Sequence, residues 1–220
     1  MKARIGQKAP PLSVAAWVQG EPVTLDELSG QVILVEVFQV NCPGCFLYSL
    51  PQAVNLYRKY SNHGLVVVGI ATAFEDFDKN NLENLTRLAE KGEVTGETLR
   101  ALSQHGKLTI AGRLPYPIPF PLAMDRLSKR QGGITDNEVA AFIRERIPDF
   151  EQKPPLYQQQ IRLQVQHYFE ALSYHAETFE TFELKGTPSH ILIDKQGRLR
   201  ACAFGAYPEL EENIKELLEE

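Results

Sequence analysis

The chain has 220 residues, 43% of them hydrophobic and 23% charged, which is typical of a globular protein and not of a disordered or fibrous one. Its 23 basic and 28 acidic residues leave a net charge of −5, which argues against nucleic-acid binding because phosphate contacts need clustered Lys and Arg. Three cysteines are too few for a secreted scaffold held together by disulfides.

Targeting signals are absent from the sequence. The start of the chain lacks the apolar stretch of a secretory signal, and no apolar run approaches the ~20 residues of a membrane span. We therefore expect a cytoplasmic protein with no membrane insertion. An exported protein whose signal had been removed would show the same features.

The first half of the chain has the pattern of a βαβ unit. Residues 31–38 are dominated by Val, Ile and Leu, which predicts a strand buried on both faces, as in a parallel sheet. Residues 43–60 have apolar positions at helical spacing, with the helix-kinking Pro51 inside the segment. Residues 65–73 predict a second buried strand.

A long middle segment, residues 74–184, has mostly helical periodicity. Residues 80–91 predict one amphipathic helix, and the capping box formed by Thr135 and Glu138 predicts the start of another. Residues 114–122 contain alternating prolines, which favour an extended conformation over a helix.

The end of the chain predicts a hairpin and a helix. Residues 189–194 and 198–204 are apolar stretches joined by a turn at Gly197, as in an antiparallel hairpin. Residues 209–219 carry an apolar stripe opposite an acidic face, which predicts a final amphipathic helix.

The chemistry of the sequence is concentrated in Cys42-Pro43-Gly44-Cys45, which follows the first buried strand and opens a helix. A helix N-terminus favours a thiolate, so Cys42 is the expected attacking sulfur in disulfide exchange. Cys45, one turn further, is placed to resolve a mixed disulfide on Cys42. Pro43 suits an early helical position, and Asn41 and Gly44 complete this active-site loop. The chemistry needs no organic cofactor and no metal.

The cysteine pair has two other interpretations, a zinc half-site and inert packing. Structural zinc takes four ligands, and Cys202 and five scattered histidines offer no second pair, which disfavours a zinc half-site. Inert packing of both thiols is the other alternative. Cys202 itself is interpreted as a buried packing thiol, and His190 as a strand-face histidine with no chemical role.

The order of these segments resembles the thioredoxin superfamily, in its TlpA-like or redoxin branch. The matching stretches are residues 32–51, 64–71, 120–125 and 185–194, together with the C-terminal helix. The resemblance implies an α/β fold with a central mixed β-sheet flanked by helices, in a single domain over residues 1–220. It also implies a large, mostly helical insertion over about 127–184, which is either an amphipathic core or a docking surface.

The resemblance assigns further site residues. In this family a cis proline faces the cysteine pair, and the corresponding residues here are Thr187 and Pro188, whose backbone would pair with a substrate chain. Glu36 interrupts the first buried strand at a place where the family often has an acid, so it is expected to move the proton of Cys45. The alternative is that Glu36 reaches solvent or satisfies a local hydrogen bond.

Two departures from the family pattern are visible. Asn41 replaces the aromatic residue that commonly precedes the first cysteine, so the surface around the attacking sulfur should be more polar. Pro51 lies six residues after Cys45, one further than is usual in the family.

The leading hypothesis is a thiol–disulfide oxidoreductase that acts on a disulfide-containing protein or small molecule and exchanges electrons with a reductase or thiol donor. A peroxiredoxin-like thiol peroxidase is a second hypothesis. Its Pro-x-x-x-Thr/Ser-x-x-Cys motif is missing. Val35 stands at the proline position, seven residues before Cys42, and Gln39 at the Thr/Ser position, three residues before it. A third hypothesis is a non-catalytic binding or assembly module that uses the helical insertion.

Overall fold

The computed structural model describes residues 2–130, 135–171 and 174–220. The chain divides into two compact units, one made of Met1–Leu127 with Ala176–Glu220 and the other of Ser128–His175. The second unit falls within the predicted insertion, parts of which (residues 131–134 and 172–173) lie outside the described residues. Organisation as a single domain stays a prediction.

A mixed sheet of six strands forms the centre of the larger unit. The strands of the chain are β1 (Val14–Gln19), β2 (Val32–Phe38), β3 (Leu65–Ala71), β4 (Leu122–Asp125), β5 (Leu127–Lys129), β6 (Tyr174–Ala176), β7 (Ser189–Ile193) and β8 (Leu199–Phe204). The sheet order is β1–β4–β3–β2–β7–β8, with β2, β3 and β4 parallel and β1, β7 and β8 antiparallel to their neighbours. The predicted buried strands and the C-terminal hairpin are confirmed.

Seven α-helices lie in the described residues. They are α1 (Leu50–Tyr60), α2 (Leu82–Lys91), α3 (Gly96–Gln104), α4 (Asp136–Arg146), α5 (Pro155–Ala171), α6 (Glu177–Thr181) and α7 (Leu210–Glu219). The capping box at Thr135 and Glu138 is present and starts α4, as predicted. Within the described part of the chain, no helix combines the length and the apolar character needed to cross a membrane.

Alternation along β2 divides the core between the two faces of the sheet. Leu34 and Phe38 pack with both cysteines of the pair and with residues of α1 and α7. Ile33, Val35 and Val37 point to the opposite face and pack with residues of β3, β7 and the segment that follows α6. A strand that is apolar on both faces is therefore buried on both, as its composition predicts.

The helix after the cysteine motif departs from a simple α-helix. Cys45–Ser49 forms a π turn in which the Leu50 N–H donates to the Cys45 carbonyl, and regular α1 begins at Leu50 with Pro51 in its first turn. A π turn holds one more residue than an α turn, so it absorbs the extra residue between Cys45 and Pro51. Pro51 lacks an N–H and starts the regular helix instead of kinking its interior.

The smaller unit has an apolar core of its own between α4 and α5. Val139, Ile143 and Phe150 are buried, and apolar residues of α5 pack against them. Phe142 contacts Phe169 edge to face, with ring centroids 4.9 Å apart. This packing supports the interpretation of the insertion as an amphipathic core.

Asp125 anchors the chain where it returns from the insertion. Its buried carboxylate accepts the N–H groups of Thr178 (2.8 Å) and Phe179 (3.2 Å) at the start of α6, and the hydroxyl of Thr72 (2.8 Å). Burial raises the pKa of Asp125, although these hydrogen bonds oppose the shift. The carboxylate thus satisfies donors that no water can reach.

We expect Asp125→Ala to lower the free energy of unfolding by about 3 kcal/mol, because three buried donors lose their acceptor. Urea unfolding measures the change. Asp26→Ala is the matched control, since Asp26 forms only an exposed ion pair with Lys8 and should change stability by less than about 1 kcal/mol. Equal losses in the two variants would contradict the anchoring role.

Candidate active site

Cys42 and Cys45 lie at disulfide-bonding distance, with Cα atoms 5.4 Å apart. Cys42 is 9% exposed, whereas Cys45 is 0% exposed. The backbone N–H of Cys45 donates to the Cys42 sulfur (3.2 Å) and the Cys42 carbonyl (3.0 Å), as expected at the start of a helix. Cys42 is thus the less buried residue of the pair.

Asn41 ties the cysteine loop to two neighbouring segments. Its backbone N–H donates to the Asn80 side chain (2.8 Å), and its side-chain amide donates to Asp76 (2.8 Å). Its side-chain oxygen accepts the Glu97 N–H (2.7 Å) in the first turn of α3, where the N-cap residue Thr95 makes no capping hydrogen bond. Asn41 thus caps a helix that is distant in sequence.

The Thr187–Pro188 peptide bond is cis, and its loop faces the cysteine motif, as the resemblance implied. A methyl group added at Gly44 would lie 3.9 Å from Cδ of Pro188. The Thr187 hydroxyl donates to the side-chain oxygen of the buried Gln39 (3.0 Å), which fixes this loop to the end of β2. The β2–β7 ladder ends at Ser189, so the Thr187 backbone lies beyond it.

Glu36 forms a buried pair with His190. Glu36 is 0% exposed and His190 is 1% exposed, and His190 Nδ1 lies 2.7 Å from Glu36 Oε2. His190 Nε2 lies 3.1 Å from the Gly205 carbonyl oxygen, and Glu36 Oε1 has no hydrogen-bond partner among the described residues. Burial opposes the charge of His190, but the hydrogen bond and charge of Glu36, with the Gly205 carbonyl, raise the pKa of His190 above its ordinary value.

The alternative that Glu36 reaches solvent is therefore wrong, and the interpretation of His190 as a strand-face residue with no chemical role misses its contact with Glu36. The pairing follows from the antiparallel register of β2 and β7, in which Glu36 is opposite His190. The sequence places each residue on its strand but carries no signal for that register.

An apolar groove lies beside the cysteine pair, with a volume of about 310 Å³. Its lining includes Gly44, Tyr48, Pro188, His190, Tyr207 and Pro208. Tyr48 is 72% exposed, which is unusual for a large aromatic side chain and leaves its ring available to a ligand. The groove thus places the cysteine motif, the cis-proline loop and His190, the partner of Glu36, on one surface.

Cys202 does not belong to this site. It lies on β8 and is exposed, so its interpretation as a buried packing thiol is wrong. Although the residue as a whole is exposed, its thiol is partly shielded from water. This desolvation and the nearby charge of Glu183 raise the pKa of Cys202 to about 11, so little thiolate forms at neutral pH. No group of three or more His, Cys, Asp or Glu side chains among the described residues is placed to hold a metal ion.

Comparison with known proteins finds sequence similarity over a limited stretch. No protein-family model matches the chain. Protein FixW of Rhizobium leguminosarum is 31% identical over 71 residues, which are 32% of this chain and 31% of FixW. Protein DipZ of Mycobacterium bovis is 31% identical over 69 residues, which are 30% of this chain and 10% of DipZ. The matches thus span less than a third of either relative.

Solved structures agree over nearly the whole chain. A thiol-disulfide isomerase from Corynebacterium glutamicum is 25% identical with a TM-score of 0.58, covering 99% of this chain and 97% of that one. A thioredoxin-like superfamily protein is 24% identical with a TM-score of 0.58, covering 97% of each chain. This agreement confirms the predicted fold class, whereas the TlpA-like branch stays a prediction.

We expect Asn41→Ala to lower the free energy of unfolding by about 1–2 kcal/mol, because the first turn of α3 loses its only side-chain cap in the described structure. Thermal or urea unfolding measures this change. Asn55→Ala, on the exposed face of α1, is the control and should be close to neutral. If Asn41→Ala leaves the free energy of unfolding unchanged, the hydrogen bond between Asn41 and the first turn of α3 does not stabilise the fold.

Proposed function

We propose that this protein, which has the thioredoxin-like fold, is a thiol–disulfide oxidoreductase with Cys42 as the attacking sulfur and Cys45 as the resolving sulfur. The observation that carries the proposal is the difference in exposure within a bonded pair at a helix start. One sulfur is reachable from outside, and the other is reachable only from the first. A structural disulfide would not need this asymmetry.

The reaction proceeds in two exchanges. The Cys42 thiolate attacks one sulfur of a substrate disulfide, the substrate S–S bond breaks, and one substrate thiolate leaves. Cys45 then loses its proton and attacks the Cys42 sulfur. The Cys42–Cys45 bond forms, the mixed disulfide breaks, and the second substrate thiolate leaves. Two electrons have passed from the protein to the substrate, and a thiol donor or reductase restores the reduced pair.

Glu36 accepts the proton of Cys45 in the second exchange. It lies on the same sheet face as Leu34 and Phe38, which pack in one cluster with Cys45. Its Oε1 is buried and has no hydrogen-bond partner in the part of the chain that the structure describes, so a lone pair is available there. A base is needed at this place because a buried thiol resists ionisation.

The substrate binds along the groove and the cis-proline loop. The Thr187 backbone lies beyond the β2–β7 ladder and pairs with an extended substrate chain, while Tyr48 and the groove hold apolar groups next to the disulfide. Both peptide disulfides and small-molecule disulfides fit this description. In the cytoplasm, where we propose that the protein resides, it acts as a reductant.

Disulfide reduction by the purified protein tests the proposal. With dithiothreitol as the thiol donor and insulin as the substrate, we expect reduction to fall at least 100-fold in Cys42→Ser, because no other reactive thiolate replaces it. Cys45→Ser should accumulate a mixed disulfide on Cys42 that mass spectrometry detects. Cys202→Ser is the matched control and should retain full activity, since its thiol has a pKa of about 11.

Retained activity in Cys42→Ser, or the absence of a reversible Cys42–Cys45 disulfide, would refute the proposal. Hydrogen peroxide in place of insulin tests the peroxidase alternative. Rapid peroxide consumption that needs Cys42 but not Cys45 would favour a peroxidase. Full function in cells of the double Cys42→Ser and Cys45→Ser variant would favour a non-catalytic module.

A further inference from the structure

The environment of His190 defines its charge. Nδ1 faces Glu36 Oε2 at 2.7 Å, and Nε2 faces the Gly205 carbonyl at 3.1 Å. A carbonyl oxygen only accepts hydrogen bonds, and a carboxylate also only accepts. Against a Glu36 carboxylate, both contacts are satisfied only when both ring nitrogens donate, as they do in an imidazolium.

The same contacts define the state of Glu36. A lone charge at 0% exposure is costly, because burial removes its hydration. Beside an imidazolium, the carboxylate forms a neutral pair and stays ionised. Only Oε2 is used in that pair, so Oε1 keeps a free lone pair.

We infer that His190 is the positioning residue of the resolving step: as an imidazolium it keeps Glu36 ionised, so that Oε1 of Glu36 takes the proton of Cys45. This inference rests on the proposed function. His190 acts on Cys45 through Glu36 and not by direct contact.

The proton and electron balance is complete. The Cys45 thiol gives its proton to Glu36 Oε1, and its electron pair forms the bond to the Cys42 sulfur. The bond between Cys42 and the substrate sulfur breaks, and the substrate leaves as a thiolate. When a thiol donor later breaks the Cys42–Cys45 bond, the Cys45 sulfur takes the proton back from Glu36.

Few other groups in the described structure act on this pair. In the sheet, Glu36 lies beside Gly69 of β3 and His190 lies beside Ala203 of β8, neither of which carries a charge. The described groove lining contains no Asp, Glu, Lys or Arg, and its titratable members besides His190 are Tyr48 and Tyr207. The Tyr207 ring lies 6.0 Å from that of His190, and the two cysteines occupy the same side of β2.

A coloured aromatic disulfide, a nitrobenzoate dimer, separates the two exchanges in one experiment. In a Cys202→Ser background, the reduced protein should release one coloured thiolate when Cys42 attacks and a second when Cys45 resolves. We expect His190→Gln to slow the second phase about tenfold relative to the first at pH 7. The ratio of the second-phase rate without the His190 substitution to the rate with it should fall toward one as the pH rises, because the Cys45 thiol then ionises without a base.

The matched control is His63→Gln, which replaces an exposed histidine and should change neither phase. If the wild-type protein lacks the second phase, the proposed function fails. If the wild type shows both phases and His190→Gln resolves at the wild-type rate, the inference about His190 alone fails. If His190→Gln slows the second phase by the same factor at every pH, the substitution has altered packing, and this result also overturns the inference.

Imidazole NMR supplies a readout that does not depend on redox activity. In the oxidised protein, we expect His190 to keep both ring protons to a pH above 6.5, the ordinary pKa of histidine. In Glu36→Gln the pKa of His190 should fall below 6.5, because burial then acts without the opposing carboxylate. Identical titration of His190 in the two proteins would refute the pairing, even if His190→Gln failed to fold.

Discussion

The burial of β2 on both faces is the constraint on which the rest of the site depends. β2 pairs with β3 on one side and β7 on the other, and every residue in it is buried. A shift of one residue would exchange the side chains between the two faces and take Glu36 away from His190. Because the cysteine motif follows the end of β2, this fixed register also fixes the position of Cys42 relative to Pro188 on the loop before β7.

That constraint explains which features the sequence predicts. The apolar composition of β2 and β3, the capping box at Thr135 and the Cys-x-x-Cys placement are local signals, and the structure agrees with each of them. β1 was not predicted, because this edge strand lacks the alternation of apolar and polar residues and contains two alanines, which are depleted in strands. Edge strands leave less trace in sequence than central ones.

The contacts that the sequence does not predict are those between distant segments. Glu36 and His190 are 154 residues apart and meet only through strand register, and the side chain of Asn41 meets the first turn of α3 across 56 residues. Pattern analysis identified Asn41 as a departure from an aromatic residue but not as a helix cap. In this site, hydrogen bonds of polar side chains add to the apolar packing that holds the cysteine loop, and such pairings are specified by tertiary geometry.

The pairing of β5 with β6 has a consequence for how this chain could have changed over time. The two strands carry the chain into and out of the smaller unit, so its beginning and its end lie side by side. A segment with adjacent ends can be lengthened, exchanged or lost while the path of the remaining strands is preserved. The length of the smaller unit can therefore change without rerouting the strands of the six-stranded sheet.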